Sequence, residues 1–209
     1  DHAAIPAEDK IHALLRQDGW KDVSYHADNQ SLSFANDAVT LNFGAVAKGY
    51  ISDEMKKTLE EEGVTSALMS LGGNVMTIGA KPDGSQWTGG VENPWNASDL
   101  YTDSSMLSGA INMSDMALVT SGDYQRYFVV DGKRYHHLID PDTLFPSTYF
   151  NGVTVLCSDS GLADCLTTGL FCQPLEDGMK IVESLDGVEA MWCLSLIHIS
   201  EPTRHAQIS

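Results

Sequence analysis

Asp131-Gly132 stands between two runs rich in β-forming residues, Tyr127-Phe128-Val129-Val130 and Arg134-Tyr135-His136-His137-Leu138-Ile139. A two-residue Asp-Gly link takes positive φ at both positions and matches the twist of adjacent antiparallel strands. The chain must therefore double back here, and antiparallel pairing is a fixed ingredient of the fold. Val23–His26 and Ser31–Phe34 alternate in the same way around Ala27-Asp28-Asn29-Gln30, giving a second hairpin. Further strands are predicted at Val64–Met69, Val75–Ile78, Trp87–Pro94, Met116–Ser121, Val153–Cys157 and from Val188 onward. Helical spacing or helix punctuation marks Pro6 to Gly19, Ser52–Glu62 before Gly63, Ser160–Cys172, and Glu176–Leu185 before Gly187. Gly72-Gly73-Asn74 interrupts a β pattern and reads as a bulge or a close backbone approach. Trp95–Ser114 is polar and Ser-rich and reads as a surface loop or short edge strands. The class expected is α+β, with mixed, mostly antiparallel sheets and packed helices.

The 209 residues suffice for one core-bearing domain, expected over 1–193, while 194–209 breaks the upstream pattern and is expected to be disordered or artefactual. With 29 acidic and 12 basic residues the formal charge is −17, which repels a polyphosphate backbone and argues against nucleic acid as a partner. A phosphorylated ligand would need a cation or local backbone amides. No apolar run reaches the roughly 18 residues of a membrane span. Cys157, Cys165, Cys172 and Cys193 lack zinc-site spacing, and the first three lie in apolar runs expected to be buried.

Three segments carry possible chemistry. Leu162–Thr168 holds Asp164, Thr167 and Thr168, which share one face if helical. Such hard oxygens suit a partial Mg2+ shell, and they equally suit helix capping. In Thr40–Tyr50 the small residues Gly44, Ala45, Ala47 and Gly49 leave the main chain uncovered beside Lys48. That combination suits an anionic ligand at a helix start, or merely a tight strand-to-helix turn. His136, His137, Asp140 and Pro141 cluster after the Asp-Gly hairpin. Strand alternation lets only one histidine face a site, where it could act as a general base, while a buried and satisfied histidine is the competing reading.

Taken in order, N-F-G-A-V-A-K-G-Y, S-L-G-G-N, T-S-G-D-Y, H-H-L-I-D-P-D-T and L-A-D-C-L-T-T resemble the FAD:protein FMN transferase (ApbE-like) family from Ile5 to Trp192. The resemblance implies a Mg2+-dependent enzyme that uses FAD as substrate. It attaches FMN through a phosphodiester to a Thr or Ser hydroxyl of an acceptor flavoprotein and releases AMP. Hydrolysis of FAD to FMN and AMP, or flavin binding without catalysis, are the alternatives. By the same resemblance the metal is held by the main-chain oxygen of Ala47 with Asp164 and Thr168, and Thr167 alongside. Gly44, Tyr50 and Leu138 contact FAD, with Lys48 and Asp140 in the same cofactor-binding set. Gly72, Gly73, Asn74, Thr120, Ser121 and Gly122 shape the pocket, and His137 takes the place of the catalytic base. The active site is expected between the Gly44–Tyr50 loop and the Asp164 helix. Family members carry a further N-terminal portion with flavin contacts and an export or lipoprotein signal, so an extracytoplasmic, lipid-anchored location is expected. One motif departs from the family: D-P-D-T-L-F-P has Leu144 where glycine is usual, and a reshaped turn is expected because Leu resists positive φ.

Overall fold

The computed structural model describes residues 4–14, 19–95 and 107–194. Four helices are present: α1 (Glu8–Leu14), α2 (Ala47–Glu61), α3 (Ser160–Phe171) and α4 (Leu175–Glu183). The strands are β1 (Val23–His26), β2 (Ser31–Phe34), β3 (Ala67–Leu71), β4 (Asn74–Ile78), β5 (Trp87–Glu92), β6 (Leu107–Met113), β7 (Ala117–Gly122), β8 (Tyr127–Val130), β9 (Lys133–His136), β10 (Phe150–Cys157) and β11 (Glu189–Leu194). One five-stranded sheet in the order β11-β10-β7-β4-β3 is joined by three two-stranded ribbons, β1-β2, β5-β6 and β8-β9. Every ladder among the described residues is antiparallel.

Period-two alternation divides the core. On one face of the sheet, Met76, Ala117, Val119, Val153 and Val155 pack with Ala163, Leu170 and Phe171 of α3. On the other, Val75, Leu118, Leu156 and Met191 pack with Val91 and Met113 of the β5-β6 ribbon. Neighbouring residues of one strand thus serve opposite layers, as a pleated strand requires. Helices cover one face and a ribbon the other. Anything displayed at Asn74 or Ser121 is in phase with Met76 and Val119 and looks toward the helices.

The Asp131-Gly132 turn forms as expected, with φ of 50° and 76° and Val130 opposite Lys133. Gly63 and Gly187 follow α2 and α4 with φ of 86° and 72°. Several expectations need correction. Gly72-Gly73 is no bulge: φ of 55° and 90° make it the two-residue turn of the β3-β4 hairpin, with Leu71 opposite Asn74. Helix α2 begins at Ala47, not Ser52, so the small-residue run is its first turn. Of the two readings of Trp95–Ser114, the edge strand holds at Leu107–Met113, which is strand β6 on β5, and 96–106 lie outside the described residues. Cys165 is exposed on α3, although Cys157 is buried. Leu144 takes the left-handed conformation (φ 59°) that leucine was expected to resist, with its side chain buried. The expected tail falls outside the described residues except for Leu194, which still belongs to β11.

Candidate functional site

Helices α2 and α3 dock through reciprocal carboxylates. Asp164, one turn into α3 and 3% exposed, accepts the Gly49 N–H on Oδ2 at 2.9 Å, and its Oδ1 lies 3.6 Å from Lys48 Nζ. Asp53, one turn further along α2, accepts the N–H groups of Ser160 (3.0 Å) and Gly161 (2.8 Å). Gly49 thus meets residue 164 and Asp53 meets 160–161, so the helices run antiparallel at this contact. The approach requires glycine, since a methyl group on Gly49 would lie 2.8 Å from Asp164 Cβ and against the Ser160 carbonyl.

A buried amide adds the sheet to this contact. Asn74 is fully buried, its Nδ2 2.8 Å from Ser160 Oγ and its Oδ1 accepting from Ser52 Oγ at 3.1 Å. Beside it, Ser121 Oγ donates to Thr167 Oγ1 (2.9 Å), which donates to the Asp164 carbonyl (2.8 Å). Ala47, Lys48, Asn74, Ser121, Asp164 and Thr167 therefore form one neighbourhood, with half-buried Thr168 on the next position of α3. Thr120 does not join it. Alternation turns Thr120 to the ribbon side, where it bonds Thr154 at 2.8 Å. Gly122 is buried against the Tyr124 ring, and the Gly72-Gly73 turn runs beside Thr120 and Ser121, since Asn74 pairs with Val119.

The N-termini of the two helices differ. In α3 the first amides are taken by Asp53, by the N-cap side chain of Asp159 (2.6 Å to Leu162 N) and by the Asp159 carbonyl. In α2 no side chain caps the helix at Val46, and the Asp164 carboxylate lies against its first turn. Ahead of it Gly44 is exposed in a turn closed by Asn42 Oδ1 (2.8 Å), and Tyr50 is 60% exposed. The Ala47 and Gly49 amides of α2 are taken by the Phe43 carbonyl and by Asp164, so what this end offers an anion is the half-exposed Lys48 ammonium.

The histidine pair resolves as alternation requires. Buried His136 donates from Nε2 to the Ser147 carbonyl (2.9 Å), accepts the Leu138 N–H on Nδ1 (3.2 Å), and meets Phe171 edge-on. Both nitrogens are spoken for, which assigns the neutral tautomer, and burial pushes its pKa below the ordinary histidine value. His137 is exposed, its Nδ1 and backbone N–H both aimed at the Arg126 carbonyl at 3.3 Å. A proton on Nδ1 leaves Nε2 free to accept another. Leu138 lies in the main core, and Asp140 spends its carboxylate on the turn amides of Asp142 (2.8 Å) and Thr143 (3.5 Å). Among the described residues no hydrogen bond or ion pair joins His137 to the α2–α3 cluster, and no three His, Cys, Asp or Glu gather. A cation here would rest on one carboxylate plus neutral oxygens. The residues missed by sequence reasoning are Asp53 and Ser160. Their one signal is that Asp53 lies four positions after Gly49, on the same helix face.

The sequence profile of the ApbE family matches residues 1–192. The chain belongs to the ApbE family. The FAD:protein FMN transferase of Klebsiella pneumoniae (strain 342) is 33% identical over 190 residues, covering 90% of this chain and 56% of that protein. Its counterpart in Treponema pallidum (strain Nichols) is 30% identical over 200 residues, covering 92% and 55%. Among solved structures, the ApbE protein of Thermotoga maritima matches with a TM-score of 0.79 at 31% identity, over 91% of this chain and 60% of that one. The flavin transferase ApbE of Vibrio cholerae matches at 0.76 and 27% identity, over 93% and 59%. The chain thus spans little more than half the length of these ApbE relatives, and its α+β, antiparallel architecture is theirs over that span.

Proposed function

We propose that this chain carries the metal-binding half of a Mg2+-dependent FAD:protein FMN transferase, joining FMN from FAD to a Thr or Ser hydroxyl of an acceptor flavoprotein with release of AMP. The observation that carries the reading is the α2–α3 contact, which holds one buried carboxylate, Asp164, against the uncapped N-terminal turn of α2. The donor set fits a small hard cation: a carboxylate, the Thr167 and Thr168 hydroxyls and the Ala47 main-chain oxygen are all oxygens, and waters or phosphates complete such shells. A bound Mg2+ would neutralise charge on the pyrophosphate of FAD, which a chain of charge −17 otherwise repels. The half-exposed Lys48 ammonium would orient the phosphates beside it. His137, its Nδ1 turned to Arg126, would take the proton of the incoming hydroxyl on Nε2 as that oxygen bonds to the FMN phosphorus and AMP leaves. The same reading puts the protein outside the cytoplasm, lipid-anchored as its family resemblance implies.

The test is incubation of the chain with FAD, Mg2+ and a Thr-bearing acceptor. FMN covalently bound to the acceptor, with equimolar AMP, is the expected product, and Asp164→Ala and His137→Ala should abolish it. AMP and free FMN appearing without acceptor would make the protein a FAD pyrophosphatase, and FAD binding with no turnover would make it a flavin-binding module. Full transfer by both variants would refute the site assignment.

A further inference from the structure

Asp164 has two claims upon it. It anchors α3 to α2 through the Gly49 N–H, and in the reading above, on which this inference rests, it also holds the cation. A carboxylate that alone held two helices together could not reorient toward a metal without loosening the contact that places it. The structure supplies a second anchor. Asp53 grips the opposite end of the same contact through two charge-assisted bonds to Ser160 and Gly161, at 3.0 and 2.8 Å. Its direction is reversed, an α2 carboxylate on α3 amides rather than an α3 carboxylate on an α2 amide.

We infer that Asp53 is a positioning residue: by holding α3 on α2 independently, it frees the Asp164 carboxylate to ligate the cation. Asp53 touches neither substrate nor metal in this scheme. A comparison inside the same helix separates positioning from mere stability. Asp159 also caps α3, accepting Leu162 N–H at 2.6 Å, yet it belongs to α3's own N-cap and makes no bond to α2. Loss of Asp159 therefore weakens the helix without untying it from α2.

The experiment is calorimetric titration of Mg2+ into the 209-residue chain and its Asp53→Asn, Asp159→Ala and Asp164→Ala variants, with thermal melting of each. Loss of an outer group that orients a metal ligand lowers affinity by about 10- to 100-fold. Asp53→Asn should fall by about that factor. Asp159→Ala should melt earlier, the cost of a lost N-cap, and keep wild-type affinity. Asp164→Ala should bind no Mg2+. Equal affinity in wild type and Asp53→Asn, or equal losses in the Asp53 and Asp159 variants, would overturn the positioning role while leaving the metal site standing. A wild-type chain that takes up no Mg2+ would overturn the metal reading and this inference with it. Should Asp53→Asn fail to fold, Asp53→Ser, whose hydroxyl still accepts one amide, gives the same discrimination.

Discussion

Two glycines of the helix pair should respond oppositely to the same substitution. Gly169, in α3, has nothing within 4 Å of where a methyl group would stand, so Gly169→Ala should collect the helix preference of alanine, about 0.5–1 kcal/mol. In Gly49→Ala the added carbon would sit 2.7 Å from the Ser160 carbonyl carbon and nearer still to its oxygen, whereas ordinary contact begins at 3.4 Å, so the helices must separate by at least about 0.7 Å. That displacement lengthens the Gly49–Asp164 bond from 2.9 Å to about 3.6 Å, beyond hydrogen-bonding range. The two Asp53 bonds are strained with it. Bonds to charged groups contribute about 1.5–3 kcal/mol each. Losing one or two, less about 1 kcal/mol of helix preference, leaves a deficit of about 0.5–5 kcal/mol. For a chain of this size each kcal/mol moves Tm by about 2–4 °C. Thermal melts followed by circular dichroism should show Gly49→Ala about 1–20 °C below wild type and Gly169→Ala about 1–4 °C above it. A Gly49→Ala protein as stable as wild type would refute the close-contact argument for α2 and α3.

Three further outcomes follow from single residues. His136 is held neutral in the folded state, so the unfolded chain binds more protons as pH falls through the ordinary histidine value near 6.5, and stability should decline there. Melts from pH 7.5 to 5 should show this decline, and His136→Gln should flatten it; an unchanged slope would mean that other groups carry it. Leu144→Gly relieves a left-handed backbone costing about 1–2 kcal/mol but empties a buried site worth about 2–5 kcal/mol. Urea titration should find the variant less stable by up to about 4 kcal/mol, and a more stable variant would show that backbone strain outweighs burial. Cys165 is exposed, whereas Cys172 is less accessible and burial raises its pKa to about 11. A thiol reagent at pH 8 should therefore modify Cys165 of the folded chain well before Cys172, as peptide mass mapping can check.

Local rules account for what was legible in the sequence. Asp131-Gly132 and the stop glycines Gly63 and Gly187 each need only their immediate neighbours to act, and each adopts the conformation its residue type favours. The start of α2 was hidden because Gly49 is a poor helix former; its presence there is set by Ser160 and Asp164, far along the chain. Strand β6 was legible only as one of two alternatives, because its outward-facing polar residues look like a loop and its partner β5 comes earlier. Leu144 defied the rule that disfavours positive φ because its side chain is buried. At the site, Asp164 was visible as a donor, but nothing near it shows that Gly49 receives it. Thr120 and Ser121 looked equivalent until strand phase sent them to opposite faces.

The Gly49–Asp164 bond closes a loop of 115 residues. Loop closure over such a span must precede any gain from the contact, so the helix pair is non-local structure of the kind that forms slowly. Segments that fold early, such as the β8-β9 hairpin, can be native-like while the metal half-site does not yet exist. Acquisition of cation binding should therefore lag behind acquisition of β-structure during refolding, and ligand uptake becomes a clock for the last step of assembly.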